Sequence, residues 1–131
     1  IRLSACFGVT LDIIGPCGFP LSEKSLKEAA LDYGEKCEMI LHSDWLNFKK
    51  SSTNRRLILL STKAKKNLWE FDFNHNDTLI MGRETQGVPN DVYDQCDAAV
   101  TIPMPGGGRS LNVAISAGIA ISEAMRKIKF K

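Results

Sequence analysis

The segment Thr101-Ile-Pro-Met-Pro-Gly-Gly-Gly-Arg-Ser-Leu-Asn112, running on through Val113 to Lys129, decides how this chain is read. An apolar strand end over residues 98–102 breaks at Pro103, Pro105 and three consecutive glycines. A long amphipathic helix follows, expected to begin near Ser110. Glycine lets backbone approach a ligand closely because no Cβ stands in the way. A helix N-terminus turns unpaired N–H groups toward that ligand. Ser110 has the side chain of an N-cap, which places Asn112 in the first turn. An ordinary strand-to-helix connection accounts for the same residues, so the neighbouring sequence has to arbitrate.

Two more loops follow continuous apolar runs of the kind that strands buried on both faces show. Residues 57–60 lead into Ser61-Thr62-Lys63, and residues 78–81 lead into Gly82-Arg-Glu-Thr-Gln-Gly-Val-Pro89. Between and before them the pattern alternates. A helix over 1–7 ends at Gly8, and a strand over 9–14 closes at Gly15-Pro16. Ser22 then caps a helix that puts Leu26, Ala29, Ala30 and Tyr33 on one face and ends at Gly34. A strand over 37–41 precedes a helix capped by Ser43 or Asp44, carrying Trp45, Leu46 and Phe48. A polar loop over 51–54, a helical turn near 65–70 and a short helix over 89–96 complete the order. This alternation predicts a single α/β domain with a mostly parallel sheet and helices on both faces. Ligands of such sheets bind beyond the carboxyl ends of the strands, where all three loops would lie.

Composition narrows the function. The 131 residues are 44% hydrophobic and 24% charged, ordinary for a globular chain, with a net charge of only +2. No apolar run approaches the roughly 20 residues of a membrane helix, so no membrane partner is expected. Cys6, Cys17, Cys37 and Cys96 form no C-x-x-C pair, and His42 and His75 have no ligand-spaced neighbours. No metal is therefore expected, and reduced thiols in the cytoplasm fit the cysteines better than disulfides. Ile1 reads as the middle of a helix, so an N-terminal piece is expected to precede it. Lys49, Lys50, Arg55, Arg56, Lys63, Lys65 and Lys66 form an acid-free tract, and Arg126, Lys127, Lys129 and Lys131 form another. Two such tracts suggest a polyanion such as nucleic acid, although a solvated face accounts for either alone.

The chemistry is limited. The glycines fit neither G-x-G-x-x-G nor a P-loop, because Gly106–Gly108 leads to Arg109-Ser110 without the P-loop lysine. No Ser-His-Asp, Cys-His or paired-carboxylate arrangement is present. Arg2, Glu84, Arg109, Ser110 and Asn112 can orient phosphates and hydroxyls but include no strong nucleophile. That set suits transfer from an already activated cofactor.

Three stretches, Gly82-Arg-Glu-Thr-Gln-Gly-Val-Pro89, Ile102-Pro-Met-Pro and Arg109-Ser-Leu-Asn-Val-Ala114, resemble the second and third motifs of SPOUT-class RNA 2′-O-methyltransferases. Ile1-Arg-Leu-Ser-Ala-Cys-Phe-Gly8, Gly15-Pro-Cys-Gly-Phe-Pro20 and Leu31-Asp-Tyr33 resemble the small single-domain branch, which methylates the ribose of the tRNA wobble nucleotide. The resemblance implies a C-terminal deep trefoil knot, a homodimer, S-adenosylmethionine as cofactor and tRNA as partner. It further implies that Leu60, Gly82, Ile102, Met104, Ser110 and Leu111 hold the cofactor. Arg2, Glu84, Ser110 and Asn112 become the catalytic set, with Arg2 on the phosphate beside the target ribose. The family's first strand and Asn-rich first loop would precede Ile1, and Ser122 stands where several members carry a tyrosine. Two rival readings remain: methylation of ribosomal RNA or another tRNA position, and a non-catalytic RNA-binding protein of the same fold.

The last helix repeats Ala114, Ile115, Gly118, Ile121, Met125 and Ile128 at i, i+3, i+4 spacing. Its small residues predict close approach by another element, either the core sheet or a second subunit.

Overall fold

The structure is a computed structural model that describes residues 2–15, 38–82, 90–107 and 111–129. It falls into two compact units, Ile1–Thr53 and Asn54–Lys131.

In the first unit, α1 (Arg2–Phe7) ends where Gly8 takes φ 67°. Val9 N–H bonds the Ser4 carbonyl and Gly8 N–H that of Ala5, the paired closure in which glycine removes the penalty of a left-handed residue. Two strands, β1 (Leu11–Ile14) and β2 (Met39–His42), pair in parallel from Leu11↔Met39 to Ile14↔His42. Parallel neighbours need a crossover between them. The helix expected from Ser22 to Gly34 lies outside the described residues. His42 Nε2 lies 2.7 Å from Asp12 Oδ1, with both side chains buried, and the ring meets Phe48 edge-on at 5.2 Å. α2 (Trp45–Ser51) is capped by Asp44, of the two residues considered, whose carboxylate accepts from Asn47 N–H.

The second unit is built on three parallel strands: β3 (Arg56–Leu60), β4 (Asp77–Met81) and β5 (Ala98–Val100), in the order β4-β3-β5. Leu57, Ile58 and Leu59 are all buried, so both faces of the central strand are covered, as its unbroken apolar run requires. A 3-10 turn (Leu68–Glu70) and α3 (Asn90–Gln95) fill the connections. The core joins Ile58, Leu68, Phe71, Phe73 and Val100 to Ala120 of the long helix α4 (Val113–Lys129).

The long helix departs from expectation in two ways. It begins at Val113, not near Ser110: Asn112 is its cap, with Oδ1 accepting from Ala114 N–H at 2.8 Å and its carbonyl accepting from Ser116 N–H. Asparagine caps as well as serine does. The inward stripe is also displaced. Ser116, Ala120 and Glu123 are buried, Ile119, Ala124 and Ile128 pack on the core, and Ile115 is 56% exposed. Ala120, fully buried, supplies the close approach to the sheet that the small residues predict.

Candidate functional site

The carboxyl ends of β3, β4 and β5 lie side by side because the strands are in register. Leu60 pairs with Met81 on one side and with Val100 on the other. Gly82 is therefore one residue past the edge on β4, and Ile102 two past it on β5. Three residues predicted to hold a cofactor, far apart in sequence, stand on one edge of one sheet. Leu60 and Ile102 are half-buried and pack against the core.

The chain beyond β3 is stitched to the chain beyond β5. Ser61 N–H bonds the Val100 carbonyl at 2.9 Å, Thr101 N–H that of Lys66 at 2.9 Å, and Leu68 N–H that of Thr101 at 2.8 Å. Asn67 and Thr101 form an isolated parallel bridge. Past Ile102, Met104 and Gly107 close a turn (Gly107 N–H to the Met104 carbonyl, 3.0 Å) with Pro105 at its second position. Gly107 has φ 79°, where a side chain is strained. A Cβ on Gly106 or Gly107 would meet no atom within 4 Å, so the glycine turn borders open space. Leu111, 39% exposed, and the cap Asn112 lead into α4.

At the opposite, amino edge the polar groups are occupied. Arg56 reaches Asp77 through Nε at 2.5 Å and through Nη2 at 2.6 Å, and Nη2 also donates to the Asp72 carbonyl. The Asp77 hydrogen bond raises the Arg56 pKa above its ordinary value despite the opposing effect of burial, so the guanidinium stays charged. Asp97 Oδ2 takes the Leu57 N–H at 2.7 Å.

The match that decides the family is the SpoU rRNA Methylase family, which fits residues 1–122. The chain belongs to that family. This SpoU-family chain is 42% identical, over 98% of its length and 81% of the relative's, to a tRNA (cytidine(34)-2′-O)-methyltransferase of Beijerinckia indica subsp. indica. A solved structure described as structural insights into the 2-OH methylation of C/U34 on tRNA is similar with TM-score 0.87 and 36% identity, covering 96% of this chain and 83% of that one. An AdoMet-bound rRNA methyltransferase of Sinorhizobium meliloti, 22% identical, shares the fold at TM-score 0.81 over 95% of this chain and 49% of that one.

Of the predicted site residues, the structure brings Leu60, Gly82 and Ile102 to the second unit's carboxyl edge and sets Met104 in the turn that follows, while Leu111 and Asn112 directly precede α4. Arg2 opens α1 in the first unit. Glu84, Arg109 and Ser110 lie outside the described residues. The sequence reading missed the stitch through Lys66, Asn67 and Thr101; an Asn before a short apolar turn was its one trace. The basic tracts are partly occupied internally. Lys127 Nζ donates to the carbonyls of Trp69 (2.5 Å) and Phe71 (2.7 Å), and Arg126 pairs with Glu123. Among the described residues no three potential metal ligands cluster, and no helix is long and apolar enough to cross a membrane.

Proposed function

We propose that this chain methylates the ribose 2′-hydroxyl of nucleotide 34 of tRNA, using S-adenosylmethionine. Family membership and the wobble-position methyltransferase at 42% identity support the reaction and its target. The single observation that carries the cofactor is the register Met81↔Leu60↔Val100, which sets Leu60, Gly82 and Ile102 on one backbone-rich edge beside the open glycine turn. Half-buried Leu60 and Ile102 offer apolar surface suited to the flat face of a nucleoside.

When bound, S-adenosylmethionine would supply a methyl group activated by its positive sulfonium, which would leave as a neutral thioether, so the 2′-hydroxyl needs only to be oriented and relieved of its proton. The chain's part is positioning, which is worth several orders of magnitude in such transfers. Arg2 binds the phosphate beside the target ribose; its guanidinium is a fork suited to phosphate, and that phosphate assists loss of the proton because arginine is a poor base. Glu84, Ser110 and Asn112 shape the loops and hydrogen-bond cofactor and ribose. The C-terminal part of the chain forms the trefoil knot of the SPOUT fold, and the enzyme acts in the cytoplasm as a homodimer. An open groove on α4 bordered by Trp69, Ile115, Gly118 and Ile119 supports the dimer, since Trp69 (46% exposed) and Ile115 offer apolar area to a second copy.

Mapping of 2′-O-methyl groups in tRNA after incubation with the protein and labelled S-adenosylmethionine tests the reading. Label confined to the ribose of nucleotide 34 is expected; label at another position, or none, overturns it. Arg2→Ala is expected to keep cofactor binding and lose about a hundredfold or more in turnover.

A further inference from the structure

The longer basic tract places three of its lysines together on one loop. Lys63, Lys65 and Lys66 are exposed, all within four residues on the loop that follows β3. Among the described residues the side chains of Lys63 and Lys65 meet no carboxylate or other partner, and Lys66 Nζ lies 5.4 Å from the Phe71 ring centre. Arg56 and Lys127 behave differently: Arg56 is tied to Asp77, and Lys127 to the carbonyls of the 3-10 turn.

The loop is held in shape. Its first residue, Ser61, is anchored to the Val100 carbonyl, and its last, Lys66, accepts from Thr101 N–H. Inside, Ser61 Oγ accepts from Lys63 N–H at 3.1 Å and the Ser61 carbonyl from Ala64 N–H at 3.2 Å. Both anchors are on the strand extension that continues into Ile102 and the glycine turn. The lysines are thereby mounted on the edge that carries the cofactor residues, on a turn that loses little entropy on binding.

We propose that the loop over residues 61–66 is a phosphate-contacting arm for the RNA substrate, with Lys63 and Lys65 as its principal contacts. The inference rests on the proposed function and adds to it a surface for the substrate's backbone. Point charges on flexible stems bind phosphates without reading sequence, so the arm contributes affinity and orientation and leaves the choice of nucleotide to other residues.

The test uses the full chain carrying Lys63→Gln and Lys65→Gln, with tRNA binding measured over a range of salt concentrations. Loss of two phosphate contacts is expected to make the slope of log Kd against log salt shallower by about 1.4–1.8, and to weaken binding near 0.1 M salt by roughly tenfold or more. KM for tRNA should rise in step, while kcat at saturating tRNA and the affinity for S-adenosylmethionine stay as in the parent. The pair Lys63→Arg and Lys65→Arg should restore the parental slope. An unchanged Kd and slope in the glutamine pair, with a parent that methylates nucleotide 34, overturns the arm alone. A parent that neither binds nor methylates tRNA overturns the proposed function and the arm with it.

Discussion

The two edges of the β4-β3-β5 sheet are made of the same strands and treat their polar groups in opposite ways. At the amino edge, Arg56, Asp77 and Asp97 are bonded to one another or to backbone, and Asp77 takes Asn74 N–H as well as both nitrogens of Arg56. At the carboxyl edge, the backbone turns sharply through Pro105, Gly106 and Gly107, and Lys63 and Lys65 have no partner among the described residues. Groups already satisfied stabilise the fold and have little left for a ligand. Open turns and unmatched charges contribute little stability and are available for binding. Under the proposed function, the amino edge is structural and the carboxyl edge is the working face.

Substitutions at three positions break or sharpen that comparison. The largest effect is expected at the amino edge. Asp77→Ala removes three hydrogen bonds and leaves Arg56 without its counter-charge, which should cost about 3 kcal/mol of stability by denaturant titration. Cofactor affinity of the folded molecules should stay within about twofold, since the carboxylate is remote from the working face. A large loss of affinity at unchanged stability would reverse the assignment of the two edges.

Next comes Gly106→Leu on the carboxyl edge. Its Cβ meets open space, so the thermal midpoint should barely move, whereas S-adenosylmethionine affinity by calorimetry should fall about tenfold as bulk enters the site. Unchanged affinity would place the cofactor elsewhere.

The smallest effect concerns Asn112, which serves both halves of the comparison. Asn112→Ala should cost about 1 kcal/mol through loss of the α4 cap. Asn112→Ser keeps an acceptor and should hold stability to within about 0.5 kcal/mol. Loss of turnover in the serine variant then reports contact with substrate or cofactor; parental turnover would reduce Asn112 to a cap.

Much of the architecture was legible in advance because it rests on local patterns. The unbroken run Leu57-Ile58-Leu59 reads as a strand covered on both faces, and Ser43 or Asp44 before Trp45 reads as a helix start. The α4 stripe was not legible. Periodicity ranks residues by hydrophobicity, and it favoured Ile115 for the interior over Ser116 and Glu123. A helix close to a sheet needs slim residues at the contact, and a buried Glu123 becomes acceptable once Arg126 pairs with it. Neither condition is visible in a one-dimensional pattern.

By itself the sequence determined the alternation of strands and helices, the three loops after buried strands and the motifs that place the chain among RNA methyltransferases. Those depend on residues near one another in the chain. Tertiary structure alone decided the register that sets Leu60 level with Met81 and Val100, because strand register is fixed by hydrogen bonds between distant segments. It also decided which basic residues are engaged and which are left over. Lys127 finds its carbonyls 56–58 residues away and Arg56 its carboxylate 21 residues away, distances over which no spacing rule reaches.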